Sequence, residues 1–418
     1  MLIRFLVLTA LLLVVDFYFF QAIKTITADW SPSKQVLTNR IYWGVSIFSL
    51  AFVLFSILTW SNPVFSKFIY LYAFCFIFIL VFSKLAGSLF LLVDDLQRLV
   101  RWIGRFFSLG IQAGGATAEG GISRAKFLSY TALAISVVPF TTMIYGMVKT
   151  AFDFKVRRKT IVLDNLPASF EGLKIVQISD IHSGSFYSSD AFQKAADIIM
   201  EQKPDVIFFT GDLVNDKSSE AEPHIHIWKQ LSAPLGIFSI LGNHDYGDYV
   251  VWDTQAEKDA NLQRLKDIHK EMGWDLLLNE HRILEKNGES IGLLGVENWG
   301  GALRFPRKGD IPLAKKGLPE VPVKLLLSHD PSHWKAQVTK DHKDIDVTFS
   351  GHTHGFQFGI EIPGFKWSPS QYVYRQWAGL YSEDNQHIYV NRGLGFLGYL
   401  GRVGIKPEIT VVELVSKA

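Results

Sequence analysis

Residues 173–182 of this chain read Leu-Lys-Ile-Val-Gln-Ile-Ser-Asp-Ile-His. A short apolar run of this length, bounded by polar residues, is typical of a buried β-strand. Asp180 and His182 follow the run at its carboxyl end, and side chains at positions i and i+2 of an extended chain point the same way. The stretch therefore predicts a strand that delivers two chemically active side chains to one place.

The same pattern returns four times further along the chain. Apolar runs end in Asp212, in Asn243-His244-Asp245, in His329 and in His352-Thr-His354. Polar segments with helical character separate the runs after Thr150, and this alternation predicts an α/β or α+β layered domain. Because sites in such folds are built where strands end, the five runs predict one converging site.

The residue types of this set indicate a metal site. Aspartate, asparagine and imidazole ligands suit divalent ions such as Mn²⁺, Fe or Zn²⁺, and the single cysteine, Cys75, lies in a distant apolar run. The ligand candidates are too numerous for one ion, whereas two ions about 3.5 to 4 Å apart that share a carboxylate suit displacement at phosphorus. Glycines at 211, 242 and 351 precede ligand candidates and let the backbone come close to the metals.

The ordered motifs resemble the calcineurin-like metallophosphoesterase superfamily. They are Asp180-x-His182, Gly211-Asp212, Gly242-Asn-His-Asp245, His329 and Gly351-His-x-His354. The resemblance extends from residue 173 to the C-terminal end of the sequence and implies a two-sheet β-sandwich flanked by helices. Three further segments, 379–381, 389–395 and 407–410, resemble the membrane-associated bacterial branch, which includes hydrolases of lipid-linked phosphates.

The resemblance also implies a role for each residue. One metal would be held by Asp180, His182, Asp212 and His354, and the second by the bridging Asp212 with Asn243, His329 and His352. His244 would be the general acid. The expected cofactor is a pair of divalent ions, with Mn²⁺ favoured and Fe or Zn²⁺ as alternatives. Arg392 is a candidate phosphate contact, with a structural role as the alternative.

Two positions depart from the family pattern. Many members have an aspartate that orients the acid histidine where this chain has Asn215, followed by Asp216, so the orienting group is open. A glycine pair usually follows the last histidine, but here the second residue is Phe356, a candidate to narrow the site or contact an acyl chain.

Other features have metal-like or membrane-like character outside this set. The pairs His224/His226 and His329/His333 have ligand-like spacing, but structural roles are expected for His224, His226 and His333. The aromatic and basic segment 365–377 is consistent with a loop at the membrane interface or with ordinary packing.

The first 150 residues differ sharply from the remainder. They contain 12 Lys/Arg and 5 Asp/Glu, whereas the remaining 268 residues contain 30 and 35 together with all 12 histidines. We therefore predict a membrane domain over residues 1–150 and a metallophosphoesterase domain over residues 151–418. This composition excludes a disordered or collagen-like chain.

Four apolar stretches predict about four transmembrane helices. Residues 41–66 carry no charge, residues 5–20 contain Asp16, residues 68–93 contain Lys84, and residues 127–148 contain Pro139. A cleaved signal peptide is the alternative for the first stretch. Asp16 and Lys84 are expected to snorkel toward the membrane surface, with a transport path as the alternative.

Between the third and fourth spans, residues 96–111 predict an interfacial amphipathic helix, with Arg98, Arg101 and Arg105 spaced along it. The Gly/Ala stretch 110–121 predicts a flexible linker.

Charge placement predicts the orientation in the membrane. With four spans, most basic residues of the first 150 face the side opposite the C-terminal domain, namely Lys24, Lys34, Arg40, Arg98, Arg101, Arg105, Arg124 and Lys126. The chain is expected to be a multi-pass protein of the cell's inner (cytoplasmic) membrane. Because positive charge marks the cytoplasmic side of such a protein, the C-terminal domain is expected on the extracytoplasmic side. The basic cluster at residues 155–159 argues the other way.

These observations predict a membrane-anchored, two-metal phosphoesterase. It is expected to hydrolyse a phosphomonoester, phosphodiester or pyrophosphate bond in a lipid or lipid-linked substrate. Neither nucleic acid nor an obligate protein partner is expected. Two alternatives stay open: a transporter or signalling protein with an accessory phosphoesterase-like domain, and hydrolysis of a UDP-linked acyl sugar in the cytoplasm.

Overall fold

A computed structural model describes residues 2–59, 67–106, 122–302 and 305–417. The chain forms two compact units, Met1–Tyr145 and Gly146–Ala418.

Long apolar helices make up the N-terminal part of the chain. They are α1 (Leu2–Thr27), α2 (Pro32–Thr59), α3 (Lys67–Phe106) and α4 (Arg124–Val148). Within the described residues, four stretches are long and apolar enough to cross a membrane: Thr9–Thr27, Pro32–Ser56, Ile69–Gly104 and Arg124–Phe152. The prediction of four apolar helices long enough to span a membrane is thereby confirmed.

The predicted separate helix at 96–111 differs from the structure. Residues 96–106 are the last turns of α3, because neither proline nor glycine interrupts the chain between Gly87 and Gly104. Asp94 on this helix accepts from Arg98 at 2.6 Å and also pairs with Arg124. Residues 107–111, and the predicted linker at 110–121, lie outside the described residues, and the interfacial position stays a prediction.

The charges inside the apolar stretches pair with each other. Lys84 Nζ lies 2.5 Å from Asp16 Oδ1 and 3.2 Å from Ser46 Oγ, and the hydroxyl of Tyr42 donates to the Asp16 carbonyl at 2.8 Å. Only 7% of Asp16 is exposed, so the prediction that the two residues snorkel separately is wrong. Breaking a buried pair of this kind costs about 3 to 5 kcal/mol, and the pair accounts for both charges without a transport path.

The described residues of the C-terminal unit form two six-stranded mixed sheets. The first has, in spatial order, β1 (Lys155–Leu163), β14 (Glu408–Ser416), β2 (Leu173–Ile178), β3 (Val206–Phe209), β4 (Ile237–Ser239) and β5 (Asp275–Leu276). The second has β12 (Gly379–Glu383), β13 (Gln386–Val390), β9 (Val347–Ser350), β8 (Lys324–Leu327), β7 (Glu289–Gly295) and β6 (Glu280–Lys286). The neighbours β14 and β2 are antiparallel, as are the outermost pairs β12/β13 and β6/β7, and the other neighbours are parallel.

The two sheets enclose one apolar core. Residues from both inner faces pack together in it, for example Ile175 and Phe208 from the first sheet with Leu325 and Phe349 from the second. Helices cover the outside: α5 (Asp190–Glu201), α6 (Ile225–Trp228), α7 (Gln255–Glu271), α8 (Ile311–Lys315) and α9 (Thr339–Asp341). The predicted two-sheet sandwich flanked by helices is confirmed.

A short antiparallel hairpin of β10 (Ile360–Ile362) and β11 (Phe365–Trp367) belongs to neither sheet. Its turn is Pro363-Gly364, where the glycine has a φ of 78°, a conformation that glycine adopts without steric cost.

Candidate metal centre

The carboxyl ends of five buried strands meet at one edge of the sandwich. The strands are β2, β3 and β4 of the first sheet and β8 and β9 of the second, and each runs into one of the motifs found in the sequence. Because the polar residues follow closely after the last residue of each strand, the side chains of distant motifs become neighbours.

One cluster consists of Asp180, His182 and His354. His182 Nε2 lies 3.0 Å from His354 Nε2, which in turn lies 3.3 Å from Asp180 Oδ1. All three residues are buried, and their ligand-type atoms lie within 4.8 Å of one another. Carboxylate and imidazole donors gathered so closely fit one divalent cation.

The second cluster consists of Asp212, His329 and His352. His329 Nε2 lies 3.1 Å from Asp212 Oδ2 and 3.3 Å from His352 Nδ1. Asn243 joins this cluster, with its Oδ1 atom 2.7 Å from His352 Nδ1. The structure thus brings all seven predicted ligands together, in two groups that match those implied by the family resemblance, and their binding of metal stays a prediction.

Asp212 faces both clusters. Its Oδ2 atom lies 3.1 Å from His329 Nε2 and 3.6 Å from His182 Nε2, which belongs to the first cluster. Its Oδ1 atom accepts a hydrogen bond from the backbone N–H of His244 at 2.9 Å. This position between two sets of imidazole nitrogens is the one that a shared carboxylate would occupy.

Burial sets the protonation of most of these side chains. It lowers the pKa of His182 to about 3 and that of His352 to about 4, and it lowers the pKa of His354 well below the usual value. These imidazoles are therefore neutral near pH 7, the form that binds metals. Burial also lowers the pKa of His329, but the neighbouring Asp212 carboxylate raises it overall to about 10, so His329 would have to release this proton to bind a metal.

The backbone is strained where it presents these ligands. Five of the seven have a φ between 48° and 72°, namely Asp180, His182, Asp212, His352 and His354. The left-handed conformation costs a non-glycine residue about 1 to 3 kcal/mol, and such residues concentrate at functional sites.

Glycines permit the close approach of the ligand loops. A Cβ atom on Gly242 would lie 2.2 Å from Asp212 Oδ1, and one on Gly351 would lie 2.3 Å from Asp180 Oδ2. Both distances are too short for any larger residue, so both predicted glycines are required where they stand.

His244 lies beside the clusters and is half-buried. Its Nδ1 atom lies 2.7 Å from the Asn215 carbonyl oxygen, which can only accept, so Nδ1 carries the hydrogen and Nε2 is left for other partners. The Asn215 side chain instead contacts His182, with Oδ1 3.1 Å from Nδ1. The backbone carbonyl of Asn215 therefore orients His244, in the role that an aspartate side chain has in many family members.

The two predicted substrate contacts differ. Arg392 is 3% exposed, and its guanidinium pairs with Glu408 at 2.5 Å and with Glu361 at 2.9 Å. The prediction that it contacts a phosphate is therefore corrected to the structural alternative, because its charge is already matched by two carboxylates. Phe356 is 41% exposed two residues after His354, so its role as a substrate contact stays a prediction.

The other histidines that had ligand-like spacing are explained by local contacts. His224 Nδ1 lies 3.0 Å from Ser189 Oγ, and its ring packs on Phe192. Both ring nitrogens of His333 are hydrogen-bonded, to Ser328 and Gln337. These contacts agree with the expected structural roles.

Several supporting residues were not found from the sequence. The buried Asp245 carboxylate accepts from the backbone N–H groups of Asp212, Leu213 and Gly242 at 2.8 to 2.9 Å, and so holds two ligand loops together. Tyr374 Oη lies 2.8 Å from His352 Nε2. Asp245 was visible inside the Gly-Asn-His-Asp motif, whereas nothing in the spacing connects Tyr374 with His352.

Comparisons with known proteins agree with this geometry. The family described as calcineurin-like phosphoesterase matches residues 173–356. The family described as the transmembrane domain of probable calcineurin-like phosphoesterases matches residues 2–151.

Individual relatives have the same character. The chain is 30% identical to the "Transmembrane protein with metallophosphoesterase domain" of Danio rerio, over 71% of this chain and 65% of that protein, so it spans less than two thirds of that relative. It is 30% identical to the "Uncharacterized metallophosphoesterase YkuE" of Bacillus subtilis, over 73% of this chain and 94% of that protein. It is 29% identical to the "UDP-2,3-diacylglucosamine pyrophosphatase LpxG" of Chlamydia trachomatis, over 55% of this chain and 81% of that protein.

The paired Asp/His clusters, the sandwich fold and these matches together show that the chain belongs to the calcineurin-like metallophosphoesterases, a family of metal-dependent phosphoric ester hydrolases, and that it is a membrane-associated member.

Proposed function

We propose that this protein is a membrane-anchored phosphoesterase that uses two divalent ions to hydrolyse a lipid or lipid-linked phosphate. Mn²⁺ is the favoured metal. The bond is a phosphomonoester, a phosphodiester or a pyrophosphate. The observation that carries the proposal is the position of the Asp212 carboxylate, within 3.6 Å of an imidazole nitrogen in each of two Asp/His clusters.

The residues divide into two ligand sets in this proposal. Asp180, His182 and His354 hold one ion, Asn243, His329 and His352 hold the other, and Asp212 is shared. When bound, divalent ions supply positive charge that stabilises the phosphoryl oxygens as the bond breaks. The protein's part is to fix seven donors on strained loops, so that little reorganisation is needed during the reaction.

His244 is the proposed general acid. Its hydrogen bond to the Asn215 carbonyl holds the ring with Nε2 unoccupied, and its ring centroid lies 5.0 Å from that of the proposed ligand His182. Because Nδ1 keeps its hydrogen in this bond, Nε2 donates a proton to the oxygen that leaves only when the ring is in its doubly protonated form, and the ring returns to the neutral Nδ1–H form afterwards. Phe356, half-exposed beside the ligand His354, is the proposed contact for an acyl chain.

A lipid substrate is supported by the attachment of the domain to candidate membrane spans. A site tethered to the bilayer meets lipid at high effective concentration without any additional contact. One relative, LpxG, is named for a pyrophosphate substrate that carries two acyl groups.

We expect the purified full chain to contain two divalent ions per molecule and to hydrolyse an artificial nitrophenyl phosphodiester, fastest with Mn²⁺. Elemental analysis after dialysis measures the metal content independently of activity. One ion or none per chain would contradict the two-metal assignment even if some hydrolysis were observed.

We further propose that the catalytic domain lies outside the cytoplasm of the inner membrane. Eight of the 12 basic residues in the first 150 support this orientation, all except Arg4, Lys67, Lys84 and Lys149. Reporters fused after Lys159 should be active if they function only outside the cytoplasm. Activity of a cytoplasm-dependent reporter at the same position would reverse the orientation and favour a cytoplasmic substrate.

A further inference from the structure

The β10–β11 hairpin has an unusual distribution of polar and apolar side chains. Ile360 pairs with Trp367 and Ile362 pairs with Phe365, so these four side chains share one face of the hairpin. Ile360, Ile362 and Phe365 are each 50% exposed or more. An antiparallel pair normally turns its apolar face to the core and its polar face to water, and this hairpin does the reverse.

The polar face is held against the domain. Glu361 accepts from Arg157 at 2.6 Å and from Arg392 at 2.9 Å. Its cross-strand partner Lys366 donates to the carbonyl oxygen of Ala378 at 2.6 Å. These contacts anchor the polar face to the domain through Glu361 and through the ammonium group of Lys366, whose side chain is otherwise exposed, and leave the apolar face toward solvent.

The exposed apolar surface continues past the hairpin. Tyr372 is 76% exposed, and its hydroxyl lies 3.4 Å from Trp367 Nε1. We use the term apolar ridge for Ile360, Ile362, Phe365, Trp367 and Tyr372. Single exposed apolar residues are ordinary on a protein surface, but a group of them gathered on one face of a hairpin is typical of an interaction site.

The apolar ridge is connected to the ligand loop on both sides. Ser368, directly after β11, donates its hydroxyl hydrogen to the Gly355 carbonyl at 2.7 Å, and Gly355 follows His354. Tyr374 lies two residues beyond Tyr372, and its hydroxyl is 2.8 Å from His352 Nε2. A partner that holds the ridge therefore also fixes the position of the two proposed ligands of the His-x-His motif.

We propose that the apolar ridge inserts into the headgroup region of a lipid bilayer and holds the metal centre at the membrane surface. The bilayer is the favoured partner because the same chain carries candidate membrane spans, which keep lipid within reach at all times. Aliphatic residues at the tip with Trp and Tyr behind them match the composition of segments that lie at membrane interfaces. Arg375, exposed just beyond the ridge, suits anionic headgroups. This inference rests on membrane attachment and does not depend on the proposed substrate.

The test uses spin labels on the full chain in lipid nanodiscs of phosphatidylcholine and phosphatidylglycerol, prepared with one protein copy per disc. Cys75 is the chain's one cysteine and is buried, so a Cys75→Ser background allows a single label at Ile362→Cys. The matched control is Asn287→Cys, at the exposed tip of the β6–β7 hairpin. We expect collisions with a water-soluble nickel chelate to be several-fold fewer at position 362 than at 287, and collisions with oxygen to be more frequent.

Equal accessibility of the two positions to the nickel chelate would overturn the proposal. Protection of position 362 only in discs that hold two copies would also overturn it, and would identify a second copy as the partner. A label at Tyr372→Cys repeats the measurement in case substitution at 362 disturbs the hairpin. Ile360→Asp, on the same face, should restore chelate access at 362 in the labelled protein, whereas unchanged protection would mean that the ridge is covered by something other than lipid.

Discussion

Asp212→Asn should abolish most activity and remove at least one metal ion. The substitution keeps the size and one oxygen acceptor of the side chain, so the hydrogen bond from the His244 N–H at 2.9 Å can remain. It removes the negative charge that lies between the two Asp/His clusters, and in the proposed site this charge would offset the repulsion of two cations. Metal ions contribute several kcal/mol to phosphoryl transfer, and each 1.36 kcal/mol is a factor of ten, so we expect a loss of about 10³-fold or more.

The measurements are metal content by elemental analysis and the rate with a nitrophenyl phosphodiester. Asp259→Asn is the matched control, because it removes the same charge from the exposed face of α7 and should change neither quantity. Thermal unfolding of both variants separates loss of metal from loss of fold. An Asp212→Asn protein with two ions and a near-normal rate would show that this carboxylate is not shared between the clusters.

His244→Ala should slow hydrolysis in a way that depends on the leaving group. An alkoxide needs a proton to depart, so loss of a general acid should slow release of an alcohol by about 10² to 10⁴-fold. Nitrophenolate is a stable anion and leaves without a proton, so its release should slow far less. The ratio of the two losses is the decisive quantity, because it reports the proton transfer and not simply damage to the site.

Metal content should be unchanged in this variant, because Nδ1 of His244 is bound to the Asn215 carbonyl and no ligand is removed. His226→Ala is a suitable control. The substitution also removes an imidazole, but His226 is exposed on α6 and lies outside the metal-ligand motifs. Equal losses with both leaving groups would make His244 a contact for phosphoryl oxygens, and loss of an ion would make it a ligand.

The sequence predicts best those features of the fold that follow from local pattern. Each apolar run formed a buried strand, and a strand that ends beside its neighbours delivers Asp180, Asp212 or His329 to a common edge whatever the rest of the chain does. The two Asp/His clusters agree with the grouping that the family resemblance implies, and the metal-binding roles stay predictions.

The residues that were missed or misplaced depend on contacts between distant segments. Arg392 is one example. No pattern in the sequence shows that Glu361 and Glu408 meet Arg392 in the fold, so the sequence alone leaves a phosphate as a candidate partner for its charge. In the membrane part, the pairing of Asp16 with Lys84 depends on the relative register of α1 and α3, which apolar composition does not determine. The hydrogen bond between Tyr374 and the proposed ligand His352 also depends on how distant segments of the chain are placed.

The order of strands in the first sheet constrains when the domain can fold during synthesis. Strand β14, made of residues Glu408–Ser416, lies between β1 and β2 and pairs with both. The ribosome therefore releases the strand that joins β1 to the sheet some 240 residues after β1 itself. Until then β1 and β2 have no partner strand between them, and unpaired strand edges of this kind are prone to pair with other chains. The apolar helices that precede the domain are synthesised first, so membrane insertion begins before the sheet can close.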